Sequence, residues 1–145
     1  MPILTTLSRA EAENLISAAN SGDPHSAERL DRSFKTSETL AVYGSLAPGK
    51  TNHHIVAPLG GEWSDGFVVG DLFQTGWGAA LGYWAFRPRS GGARIAVKVL
   101  ESRKLSEAWG MLDEFEGSEY QRILVPILRS DDELLTVANL YAARD

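Results

Sequence analysis

The apolar positions of the chain change their period near residue 38. Ahead of that point Ala12, Leu15, Ile16 and Ala19 recur on one helical face behind Ser8-Arg9-Ala10-Glu11, whose S-x-x-E spacing is that of a capping box. A short amphipathic helix is predicted there, ended by Asn20, Ser21 and Gly22. Asp23-Pro24 then supplies an N-cap followed by proline at the first helical position, predicting a second short helix to about Arg32. Large apolar residues are too sparse in this stretch to hold a core alone. Residues 1–36 are therefore expected to be a helical extension packed on the main domain or on a partner chain, with the domain itself at 37–145.

Beyond Glu38 the pattern is that of strands. Leu40, Ala41 and Val42 run into Tyr43-Gly44-Ser45-Leu46-Ala47-Pro48-Gly49, a buried strand entering a glycine loop. Further strand-like runs cover 66–73, 81–86, 95–100, 122–128 and 134–141, mostly separated by Gly, Ser, Asp or Pro. Leu105, Trp109, Leu112 and Phe115 instead recur at helical spacing, predicting a helix over 105–115 with Leu112 and Phe115 on its core side. Six strands with one helix between the fourth and fifth point to an α+β fold, a small closed or half-closed mixed β-barrel with flanking helices.

Composition narrows the function classes. Length suits one domain, and 43% hydrophobic with 23% charged residues is the balance of a globular chain. The net charge of −5 would repel a phosphate backbone, so nucleic acid is not an expected partner. No apolar run approaches the roughly 20 residues that span a bilayer, and no membrane partner is expected. The absence of cysteine excludes disulfides, thiolate metal sites and a Cys nucleophile, and accords with a cytoplasmic setting.

The same elimination applies to metals and to a serine nucleophile. His25 lies in the extension, His53 and His54 are adjacent with diverging side chains, and no H-x-x-x-H spacing exists. No metal and no cofactor is expected, and the histidines read as surface groups or loop hydrogen-bond donors. Ser45 follows a strand, but its surroundings lack the G-x-S-x-G elbow. The loop is better read through its backbone: a glycine after a buried strand allows a tight turn whose N–H groups attract an anion. The second candidate is Leu112-Asp113-Glu114-Phe115-Glu116-Gly117. Three carboxylates crowd a helix C-terminus there and are expected to raise one another's proton affinity, so that one can serve as a base; the alternative is a solvated acidic helix end with Gly117 as a left-handed cap.

Tyr43-Gly44-Ser45-Leu46 with Gly49, then Asn52-His53, Pro58-Leu59-Gly60-Gly61 and Leu112-Asp113-x-x-Glu116-Gly117-x-x-Tyr120-x-Arg122, together resemble the γ-glutamylcyclotransferase-like (AIG2-like) family in order and spacing. The resemblance runs from about residue 38 to the C-terminus, with weaker echoes at 81–83 and 137–142. It implies a small mixed barrel and a metal-independent enzyme that releases 5-oxoproline from a small γ-glutamyl substrate. It further implies Glu116 as acid/base, with Tyr43, Gly44, Ser45, Leu46 and Tyr120 as substrate-binding residues. Arg122 is expected as a pocket wall or substrate donor. Trp84 departs from the proline that many relatives carry after Gly-Tyr, which bears on pocket size. The alternative is a barrel of the same fold that binds a small metabolite or a protein without turning it over.

Overall fold

The computed structural model describes residues 7–75 and 83–144. Helix α1 (Arg9–Asn20) starts where the Ser8 hydroxyl accepts from the Glu11 N–H and Glu11 reaches back to the Ser8 N–H, the reciprocal pair of a capping box. Helix α2 (Pro24–Phe34) is capped by Asp23, and Lys35 ends it in the left-handed conformation. There follow β1 (Thr39–Val42), β2 (Glu62–Thr75), β3 (Tyr83–Pro88), β4 (Ala93–Glu101), α3 (Trp109–Glu116), β5 (Tyr120–Leu128) and β6 (Leu134–Ala143).

Two local expectations change, and part of a third lies outside the described residues. Strand β2 begins at Glu62 rather than at residue 66, so Glu62 and Asp65 lie in the sheet. Of the run expected at 81–86, Leu81 and Gly82 lie outside the described residues, as does the side chain of Trp84. The helix expected over 105–115 is divided into a 3₁₀ turn (Arg103–Glu107) and α3. Ser102 caps the first piece: its hydroxyl donates to the Leu59 carbonyl and accepts from the Lys104 N–H, and the break falls at Ala108.

Strands β2, β4, β1, β6 and β5 pair in that order and close where Phe67 of β2 meets Leu128 of β5; β3 extends the far half of β2. Every pairing is antiparallel except β1 with β6, so the barrel is closed and mixed, in an α+β fold. Its interior is filled by small and branched side chains, among them Ala41, Val97, Val99, Ile127, Ala138 and Leu140. Gly66 sits at the closure, where a Cβ would fall inside the van der Waals shell of the Ile127 side chain. Gly66→Ala is accordingly expected to cost about 1–3 kcal/mol, read as a lower urea midpoint.

The outer face carries two more clusters. Ala12, Ile16 and Leu30 of the N-terminal helices bury against Val137, Leu124 and Leu134, so α1 and α2 lie on this chain's own barrel. Asn20 completes the seat by donating to the Leu124 carbonyl at 2.9 Å and accepting from the Leu124 N–H at 3.0 Å. Those two bonds satisfy an edge of β5 that β2 reaches at a single register position. On the other side Leu40, Val42, Leu100 and Tyr141 pack with Leu46 and Ala47 of the loop after β1 and with Leu112 of α3. This cluster brings the two candidate segments, some seventy residues apart in sequence, to one place.

Candidate active site

All four residues of β1 are buried, and Tyr43 anchors the loop that leaves it. The Tyr43 hydroxyl donates to the Tyr141 carbonyl at 2.7 Å and accepts from the Phe86 N–H at 3.0 Å. Burial pushes the phenol well above its ordinary range. With the hydroxyl engaged by the backbones of β6 and β3, Tyr43 serves as a brace for the loop. Farther on, the Asn52 N–H donates to the Ser45 carbonyl at 2.8 Å and the Asn52 amide to the Ser45 hydroxyl at 2.9 Å. His53 Nδ1 lies 3.0 Å from the Leu46 carbonyl, which only accepts, so Nδ1 carries the proton. His53 is thus a loop donor, and its ring packs beside Trp63. Among the described residues, no group of three or more His, Asp or Glu side chains is arranged to hold a metal ion.

Gly44 does not play the role its position suggested. Its φ is outside the left-handed region, and a Cβ built there would meet nothing within 4 Å. Neither the turn nor the packing demands glycine, and what the missing side chain leaves is room beside the backbone. Among the described residues, the N–H groups of Gly44, Ser45 and Leu46 find no protein acceptor. Three successive donors, the first of them beside open space, offer a place where carboxylate or carbonyl oxygens can be held.

The second segment is organised by Asp113. Arg122 of β5 donates to it through Nε at 3.0 Å and Nη2 at 3.3 Å, and the Tyr141 hydroxyl of β6 donates at 2.5 Å. The guanidinium also lies 4.5 Å over the ring of Trp109, whose Nε1 donates to the Ser37 carbonyl at 2.9 Å. Arg122 is therefore spent on the fold. Leu112 is fully buried beneath the helix, whereas Phe115, expected on the core side, is exposed. The helix is too short to bury two positions, because Gly117 stops it at once. Gly117 has φ 83° and ψ −177°, so it departs from the expected left-handed cap and turns the chain outward through a region open almost only to glycine. That turn leads into Tyr120, which packs against the same cluster as Leu46 and Leu112.

Glu116 occupies the last helical position, one face with Asp113. It is half-buried and makes no hydrogen bond or ion pair to a described residue. Its carboxyl is pushed up to about 7, and the cause is burial. This corrects the expectation that neighbouring carboxylates would do it: Asp113 is neutralised by Arg122, and Glu114 points into solvent. The Glu116 charge acts on the hydroxyls of both Tyr43 and Tyr141, which places the carboxylate near the loop and near β6. Tyr141 is the residue the sequence analysis missed. Its signal was a phenol in a mostly apolar strand, and in the β5–β6 ladder it stands directly opposite Arg122.

Comparison with known proteins follows the same lines. Among solved structures, the fold superposes on Kluyveromyces lactis allophanate hydrolase with a TM-score of 0.58 at 13% identity, over 74% of this chain and 17% of that one. It superposes on an uncharacterized protein from Pyrococcus horikoshii at 0.54 and 20% identity, covering 72% of this chain and 76% of that one. YkqA from Bacillus subtilis gives 0.55 and 22%, covering 74% and 36% respectively. At these identities the likeness is one of fold, and the chain spans only a minor part of the hydrolase and of YkqA. No curated protein sequence matches the chain at a significant level. Among the described residues, no helix is long and apolar enough to cross a membrane. Residues 40–145 match the profile described as gamma-glutamyl cyclotransferase, AIG2-like, which starts at β1 and takes in both the loop and α3. With well over half its length so matched, the chain belongs to the γ-glutamyl cyclotransferase, AIG2-like family.

Proposed function

We propose that the protein releases 5-oxoproline from a small γ-glutamyl amine or γ-glutamyl amino acid, with Glu116 as the acid/base. The observation that carries this reading is a half-buried carboxyl, pushed up to about 7, that has no partner among the described residues. A buried, unpaired carboxyl is costly for a fold and suited to proton transfer near neutrality. The α-amine of the substrate is its own nucleophile. Glu116 takes a proton from the ammonium, the nitrogen bonds to the γ-carbonyl carbon, and the carbonyl oxygen becomes an oxyanion. The bond from that carbon to the leaving nitrogen then breaks as Glu116 returns the proton to it and the carbonyl re-forms, and the freed carboxylate passes the second proton of the ring nitrogen to the departing amine, leaving the neutral lactam. N–H groups of Gly44, Ser45 and Leu46 hold the oxyanion or the α-carboxylate. Tyr120 forms a wall, and Tyr43 keeps the loop in place. Alignment of the five-membered ring supplies a large share of the rate, since well-oriented intramolecular reactions gain up to about 7–11 kcal/mol.

In this reading the partner is a small molecule rather than nucleic acid or membrane, and the setting is cytoplasmic. The reaction needs a carboxylate and amides alone, so treatment with a chelator is expected to leave the rate unchanged. The direct test is a panel of γ-glutamyl amines and amino acids assayed for 5-oxoproline, together with a crystal soaked in 5-oxoproline. Release of 5-oxoproline, with density between the 43–46 loop and Glu116, is the expected result. Density elsewhere and no release would leave the non-catalytic reading of the fold in its place.

A further inference from the structure

Asp113 lies one helical turn from Glu116 and is bound by Arg122 of β5, yet the proton affinity of Glu116 follows from burial. We propose that Asp113 and Arg122 act as one neutral unit, positioning residues that hold the helix end carrying Glu116 and keep either charge from acting on it singly. The proposal rests on Glu116 being the acid/base, and it assigns to the pair a task separate from binding substrate.

The geometry is that of a built unit. The two Arg122 nitrogens approach the two Asp113 oxygens in a fork, and the guanidinium is fixed from behind by Trp109. Tyr141 adds a third bond, so α3, β5 and β6 meet at one carboxylate. Asp113 and Glu116 are three residues apart on one helix, neighbours about 5–6 Å apart at Cβ. At such range a lone carboxylate would oppose ionisation of Glu116 and a lone guanidinium would favour it. Among the described residues, the other titratable groups around Glu116 are Glu114 on α3, Tyr43 at the start of the loop, Tyr120 on β5 and Tyr141 on β6. Glu114 is exposed, and burial keeps Tyr43 and Tyr141 uncharged at neutral pH. Asp113 and Arg122 are thus the pair whose balance matters.

Opposite charges predict opposite shifts, which a merely structural role would not produce. The titration of the Glu116 carboxyl can be followed by carbon NMR in the full chain, with Glu116→Gln identifying the resonance. Asp113→Asn, which still accepts from Tyr141, is expected to lower its midpoint by about one unit, and Arg122→Gln to raise it by about one unit. The double variant should return to the wild-type midpoint, and Arg122→Lys, which keeps the charge, should stay near it even if Arg122→Gln folds poorly. Tyr141→Phe removes a bond but no charge and should leave the midpoint in place. Single variants that shift the midpoint in the same direction, or not at all while folded, would overturn the proposal. The acid limb of kcat/KM for 5-oxoproline release should move with the NMR midpoint. Opposite NMR shifts in a protein that releases no 5-oxoproline would sustain the charge balance and remove the reaction assigned above.

Discussion

Glu116→Gln is expected to lower kcat for 5-oxoproline release by about 10²–10⁴-fold in a protein that folds normally. The amide keeps the size of the side chain and cannot take the ammonium proton, so the step that frees the nucleophile is lost while KM changes little. Glu114→Gln, at an exposed position one residue past Asp113, should be close to wild type in the same assay. The substitution also has a stability signature with a definite sign. Folded Glu116 holds its proton up to about 7, against 4.5 for an ordinary glutamate. Its contribution is therefore fully present below about pH 4.5 and is lost as pH rises through 7. The variant escapes that loss, so its advantage in unfolding free energy, read from urea titrations, should grow between those two values. At pH 8 it should amount to roughly 1–3 kcal/mol, discounted for the solvent that still reaches the carboxyl. An inactive variant that is also more stable in alkali is the combination to look for. Equal activity of wild type and Glu116→Gln would exclude the carboxyl as the base.

Gly44→Val should be folded and inactive. The φ of Gly44 suits any residue, and an added Cβ meets no protein atom within 4 Å, so thermal stability should stay within about 0.5 kcal/mol of wild type. The same branched side chain would occupy the room beside the Ser45 and Leu46 N–H groups and displace the substrate by an ångström or more. Misplacement on that scale costs about 10²-fold or more in an intramolecular reaction. Gly44→Ala, with a single methyl group, should fall between the two. If Gly44→Val turned over substrate at the wild-type rate, the loop would not be the place where the reacting carbonyl is held. Gly66→Ala is the converse case, a glycine needed by the barrel closure and remote from the chemistry, and should lose stability with its specific activity retained.

The local signals along the chain determined a good deal of this protein. The Ser8 and Asp23 caps, the strand order and the two segments that carry the family resemblance are encoded by neighbouring residues, and short-range hydrogen bonding and side-chain period are enough to read them. Phe115 and Ser102 show where that stops. Helical spacing placed Phe115 on the core side, but which face of α3 is buried depends on Leu112 docking onto Leu46 and Tyr141, contacts absent from any sequence window. The helix expected from residue 105 opens instead as a 3₁₀ turn capped by a Ser102 hydroxyl that is also bonded to Leu59, more than forty residues away.

The electrostatics of the site lay further out of reach. Three nearby carboxylates in sequence suggest mutual repulsion, because charges are counted along the helix and their partners are not. The tertiary fold brings Arg122 and Tyr141 onto Asp113, cancels that charge, and leaves Glu116 to be governed by burial. The same holds for Tyr43, whose hydroxyl is taken by β3 and β6, and for Gly44, whose value is the space beside it. Residue type and spacing determine which groups can do chemistry. Burial and pairing decide which one is left unpartnered to do it, because both are set by chain segments that meet only when the barrel closes.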